Sequence, residues 1–172
     1  MPRFNPLAVA VAFAALMAGS VQAEPAKPEC IAPAQPGGGF DLTCRLAVNA
    51  LKNTGVLKAP MRTVYMPGGI GAVAYNNVIT QRPGEPGTIV AFSGGSLLNL
   101  AQGKFGRYGV NDVRWLAGIG ADYGAAIVRN DSPYKTLGDL MGALKTDPTK
   151  VVMGAGGSVG SQDWMKAALT AK

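Results

Sequence analysis

The feature that most constrains this chain is a repeated local grammar, in which a short β-type run opens into a glycine-rich turn and the turn opens into a helical stretch. Residues 29–32 read as a strand, 33–40 as a loop, and a helix starts near Asp41, with Leu42, Leu46 and Ala50 on one face at i, i+4 and i+8 and Gly55 at its end. The second unit has a strand over 61–65, the turn Met66-Pro67-Gly68-Gly69 and a helix over about 71–80, closed by Arg82-Pro83-Gly84-Glu85-Pro86-Gly87. The third has a strand over 88–92, apolar or β-branched throughout, which opens into Ser93-Gly94-Gly95-Ser96 before a short helix. Strands alternating with helices in this way predict an α/β fold on a mainly parallel sheet.

Further along, 114–118 and 125–129 read as strands. A helix follows near Thr136, whose Leu137, Leu140, Met141 and Leu144 form an i, i+3, i+4, i+7 stripe and whose Thr136 and Asp139 have capping-box spacing. Residues 151–155 read as a strand, 156–160 as a loop and 161–172 as a last helix. Trp115 and Trp164 are expected in the core, and Tyr123 at a cleft or hinge. At the other end, Arg3, the uncharged apolar run 7–17 and Val21-Gln22-Ala23 fit a signal peptide over 1–23, cleaved after Ala23, which implies export to the periplasm. That run is too short to span a bilayer, and no lipid-anchoring cysteine follows it.

Composition narrows the chemistry. The chain contains no histidine, which removes the usual general base, the Ser-His and Cys-His nucleophile pairs and most zinc ligand sets. An enzyme is therefore disfavoured; no catalytic residue, metal site or cofactor is assigned. The net charge of +6 favours an anionic partner, and the cations form no run and do not interleave with aromatics, so no nucleic acid is expected. For Cys30 and Cys44 two arrangements fit. They close a disulfide loop of about 15 residues, which would contribute on the order of 3 kcal/mol, or they stand as two unpaired, buried small side chains.

The candidate binding residues lie in four glycine-rich loops placed at the carboxyl ends of predicted strands, the edge where open α/β sheets bind ligands. Loop 1 offers Gly37, Gly38, Gly39, Phe40 and Asp41; loop 2 offers Gly68, Gly69, Ile70 and Gly71; loop 3 offers Ser93 and Ser96; loop 4 offers Gly156, Gly157, Ser158 and Ser161. Free N–H groups at a helix start, together with the positive end of the helix dipole, suit anionic oxygens, and glycine lets them approach the backbone. No loop has the Gly-Lys-Ser/Thr of a phosphate loop or the full dinucleotide fingerprint with its distant acid. Asp41 is expected to cap its helix by accepting N–H bonds two or three residues on rather than to touch a ligand. The serines serve either as hydroxyl donors to a carboxylate or as caps and turn residues. Valine at Gly38 or Gly69 should block an anion's approach at little cost in stability.

The run Cys30-Ile31-Ala32-Pro33-Ala34-Gln35-Pro36-Gly37-Gly38-Gly39-Phe40-Asp41-Leu42-Thr43-Cys44, with Tyr65-Met66-Pro67-Gly68-Gly69-Ile70-Gly71-Ala72-Val73, Phe105-Gly106-Arg107-Tyr108-Gly109-Val110 and Gly160-Ser161-Gln162-Asp163-Trp164-Met165, resembles the extracytoplasmic tricarboxylate-binding receptors of tripartite tricarboxylate transporters. The resemblance implies a type II periplasmic binding protein whose two α/β lobes close on citrate or a related carboxylate. It also implies large and small membrane subunits as partners, and a ligand held mainly by backbone N–H groups. Many relatives outside the tricarboxylate branch carry a histidine in the last motif, where this chain has Gln162-Asp163-Trp164. Such receptors are about twice as long, so the resemblance implies a first lobe over 24–128 without its returning segment and the start of a second lobe over 129–172. A fragment that binds poorly alone is the corresponding expectation. A sensor module that reports to a membrane kinase would use the same pocket.

Overall fold

The computed structural model describes residues 24–172, and the signal-peptide reading of 1–23 lies outside the described residues. Three short strands, β1 (Glu29–Ala32), β2 (Arg62–Tyr65) and β3 (Thr88–Val90), form a parallel sheet in the order β2-β1-β3. Ile31 sits in register with Val64 on one side and Val90 on the other. Among the described residues five α-helices accompany it: α1 (Gly39–Asn53), α2 (Ala72–Gln81), α3 (Gly94–Ala101), α4 (Leu137–Thr146) and α5 (Gln162–Thr170). The molecule is thus an α/β fold built on a small parallel sheet.

β1 is central and buried along its whole length. Its side chains alternate between two covered faces. Cys30 and Ala32 join Cys44 and Ala91 in one core, with Phe40, Val48, Met61, Tyr65 and Ile89 packed against it. A Cys30–Cys44 disulfide fastens β1 to α1 there. On the opposite face Ile31 is fully buried. Glu29, also buried, is held by the guanidinium of Arg62 at 3.2 Å and by that of Arg82. A charge withdrawn from water needs such partners, and these two bind β2 and the turn after α2 to the amino end of β1. A second core gathers Tyr75, Leu100 and Phe105, with Phe92 and Phe105 rings 6.0 Å apart and Trp115 5.3 Å from Phe92.

The disulfide also decides which face of α1 packs. Asp41, Cys44 and Val48 turn inward, while Leu42 and Leu46 are 60% and 52% exposed and Ala50 is exposed too. Thr136 and Asp139 form the expected capping box. The Thr136 hydroxyl accepts the Asp139 N–H at 3.1 Å, and the Asp139 carboxylate accepts the Thr136 N–H at 2.8 Å. These bonds, the one from Thr136 first, hold the Asp139 carboxyl below its ordinary pKa.

Three sequence expectations need correction. Residues 114–118, 125–129 and 151–155 have no regular secondary structure and belong to no sheet, because no neighbouring strand takes up their N–H and C=O groups. Ile127 and Val152 accordingly stand 90% and 94% exposed. Tyr123 is almost wholly exposed instead of lining a cleft, and Trp115 and Trp164 are only partly covered.

Candidate functional site at the carboxyl edge of the sheet

Because the three strands are parallel, the loops that follow them emerge at one edge. β1 is flanked by β2 on one side and β3 on the other, so its two neighbours are reached in opposite directions and this edge is a topological switch point. Loops 1, 2 and 3 lie there as expected. Loop 4 follows an irregular segment, not a strand, yet it meets loop 3 all the same.

Loop 1 is organised by Asp41. The Gly37 N–H donates to its Oδ2 at 2.8 Å, while Oδ1 accepts from Arg45 Nε at 2.9 Å and from the Tyr65 hydroxyl at 3.0 Å. Asp41 is 2% exposed, and its pKa is lowered to about 2, first by the Arg45 hydrogen bond and then by the Gly37 N–H. The expectation that it accepts N–H bonds two or three residues ahead is overturned, since its partner lies four residues back. The physical reason is its position in the first turn of α1, where Gly38 is the N-cap and the Asp41 side chain reaches back over the loop. The amides of Gly38, Gly39 and Phe40 are left without a protein partner among the described residues. The Asp41 carboxylate, whose charge would repel an anion if it faced the loop unpaired, is buried and paired.

Loop 2 runs through four consecutive positive-φ residues, Gly68, Gly69, Ile70 and Gly71. A Cβ at Gly68 would come within 2.6 Å of Val73 Cγ2, and one at Gly69 within 2.9 Å of Ala72 Cβ. Ile70, at φ 57°, is a β-branched residue in the left-handed region, a strained conformation that its surroundings must maintain. Part of that restraint is Ser96, whose hydroxyl donates to the Ile70 carbonyl at 2.6 Å.

Counting hydroxyl protons settles what the serines can do. The single proton of Ser96 goes to Ile70, so in the 3.0 Å contact between Ser93 Oγ and Ser96 Oγ the donor is Ser93. Ser93 also accepts the Ser96 N–H as N-cap of α3. Ser161 caps α5 by accepting the Trp164 N–H and gives its own proton to the Gly156 carbonyl at 2.8 Å. Of the two readings left open for Ser93, Ser96 and Ser161, capping and loop bracing is the one observed. Ser158 is exposed, with no side-chain bond among the described residues, and Gly157 sits at φ 79° against Ser161.

The loops are therefore brought together pairwise: loop 1 to the end of β2 through Asp41 and Tyr65, loop 2 to loop 3 through Ile70 and Ser96, loop 3 to loop 4 through Asn99. The Asn99 carboxamide donates to the Gly95 carbonyl at 2.7 Å and to the Gly160 carbonyl at 2.9 Å. Arg45, Tyr65 and Asn99 are the contributors that sequence reasoning missed. Arg45 was discoverable as the i+4 partner of Asp41. Asn99 was discoverable as a lone amide set among Leu97, Leu98 and Leu100.

Chemically, this edge offers backbone N–H donors and the amino ends of helices rather than an acid, a base or a nucleophile. No cluster of three or more His, Cys, Asp or Glu side chains able to hold a metal ion occurs among the described residues. Two cavities lie apart from loops 1 to 3, one of about 400 Å³ bordered by Gly103, Arg107 and Asp112, the other of about 330 Å³ between Leu144 and Trp164. No described helix is long and apolar enough to cross a membrane. Compared with known proteins, the chain matches no family model, no curated protein and no solved structure.

Proposed function

We propose that this chain is an extracytoplasmic solute receptor with the type II periplasmic binding-protein fold, which captures citrate or a related di- or tricarboxylate and delivers it to the large and small membrane subunits of a tripartite tricarboxylate transporter. The observation that carries the reading is the start of α1. Three successive amides have no protein partner among the described residues, their helix is long enough for a useful dipole, and the Asp41 carboxylate is buried and paired. Each charge-assisted N–H bond to a carboxylate is worth roughly 1.5 to 3 kcal/mol, so three or four support micromolar binding. The Cys30–Cys44 disulfide agrees with work in an oxidising compartment. Binding rather than turnover is the reading, because loop amides and braced serines supply neither a nucleophile nor its base.

Calorimetry of the purified chain against citrate, with circular dichroism to establish folding, tests it. Saturable heat that disappears in Gly38→Val, at unchanged dichroism, is the expected result. A folded wild type that gives no heat with citrate, isocitrate or malate rules it out.

A further inference from the structure

Asn99 occupies an unusual place in the hydrogen-bond pattern. It is 5% exposed, on an α3 whose other inward side chains include the fully buried Ser96 and Leu100. Among the described residues, its bond to the Gly160 carbonyl is the one hydrogen bond that crosses between residues 24–113 and residues 132–172, and no ion pair crosses. The same carboxamide nitrogen holds the Gly95 carbonyl, so one group spaces loop 3 from loop 4. Both loop residues leave no room for slack. A Cβ on Gly95 would meet Gln162 N at 2.8 Å and Gln162 Cα at 3.2 Å, and one on Gly160 would meet Asn99 Oδ1 at 3.3 Å and Ile70 Cδ1 at 3.7 Å. The amino ends of α3 and α5 are thus packed backbone to backbone, with Ile70 of loop 2 beside them.

We infer that Asn99 is the positioning residue of this edge, a latch that holds the amino end of α5 against loop 3 and so sets where the loop 4 amides stand relative to those of loops 2 and 3. It touches no ligand; it acts by fixing the two carbonyls it binds. Removing it leaves the partly buried Gly160 carbonyl without its donor, and the one hydrogen bond of this kind among the described residues is lost. The citrate part of the test rests on the receptor reading above, whereas the exchange part stands without it.

The experiment is amide hydrogen exchange on the full chain for wild type, Asn99→Ala, Asn99→Asp and Gly95→Ala. Aspartate keeps the shape but cannot donate to either carbonyl. Alanine at 95 forces Gln162 away while favouring helix in α3. Each variant is expected to raise exchange over residues 160–168 by about ten- to hundredfold, the range that loss of a buried hydrogen bond allows, with the amides of Glu29–Ala32 unchanged. In parallel, citrate affinity should fall about tenfold in Asn99→Asp. Unchanged exchange at 160–168, or an equal rise throughout the chain, overturns the latch. If Asn99→Ala does not fold, Gly95→Ala carries the same two outcomes. Wild-type citrate binding that is absent alongside the expected exchange pattern counts against the receptor reading and leaves the latch standing.

Discussion

At the scale of single residues, Asp41 and Gly69 show how a loop can be stated in the sequence and still be misread. The Asp41 carboxyl titrates from an ordinary 3.8 down to about 2 in the fold, so the native state binds fewer protons than the unfolded chain between these values. Its contribution to stability is complete above about pH 4 and is lost as the pH falls through 2. An acid titration followed by circular dichroism should therefore show wild type losing stability from pH 4 to 2. Asp41→Asn, less stable at pH 7, should have a flatter dependence there; parallel curves would mean that Asp41 is not the group involved. Gly69 corrects the expectation that valine is harmless at both glycines. Gly38 has φ −84° and only ordinary contacts around a Cβ, whereas Gly69 is left-handed and already close to Ala72. Gly69→Val should cost about 1 to 3 kcal/mol in urea unfolding, while Gly38→Val stays within about 0.5 kcal/mol as a surface change. The glycines announced the loops, but the sign of φ at each came only with the backbone path.

At the scale of elements, the disulfide and the capping box are the two devices whose worth is simplest to measure. Reduction of Cys30–Cys44, or Cys44→Ser, removes the covalent tie between β1 and α1 and should lower unfolding free energy by about 3 kcal/mol for a loop of this length. Paired urea titrations with and without reductant on wild type give the difference. Thr136→Ala should cost about 1 kcal/mol through the α4 cap. Both features were legible because they depend on spacing within about 15 residues. The three strands and five helices were legible for the same reason, the first strand with its bounds as expected and the others with boundaries displaced by up to about three residues. What misled was the assumption that every short β-type run finds a partner. Residues 125–129 and 151–155 have the composition of strands, but pairing is a non-local property, and composition does not say whether a neighbour exists. Likewise the periodicity of α1 pointed to Leu42 and Leu46, while the bond from Cys44 to β1 turned another face inward. Asn99 escaped notice because its two acceptors are the carbonyls of loops that the sequence separates by about sixty residues.

At the scale of the whole molecule, stability is unevenly distributed. The region around the sheet has two apolar cores, the disulfide and the buried Glu29 ion pairs. Beyond residue 105 Leu140 is the one apolar residue counted among the buried core, and the Asn99–Gly160 bond is the one hydrogen bond from residues 132–172 back to residues 24–113 among the described residues. Local opening follows buried contacts, so the region containing α4 and α5 should unfold at lower denaturant than the sheet. The chain's two tryptophans report on the two regions separately. Trp115, partly exposed, holds its ring tilted 5.3 Å from Phe92 at the margin of the second core, and Trp164 lies in α5. In the single-tryptophan variants Trp164→Phe and Trp115→Phe, urea unfolding followed by fluorescence should give a lower midpoint for Trp164 than for Trp115. Excess citrate, if the edge binds it, should draw the Trp164 transition upward by mass action, about 2.7 kcal/mol at a hundred times Kd. Coincident midpoints without ligand would show that the single latch couples the regions into one cooperative unit, a stronger role for Asn99 than its two hydrogen bonds suggest. Separate midpoints that converge with citrate would place the ligand between loop 4 and the sheet-borne loops.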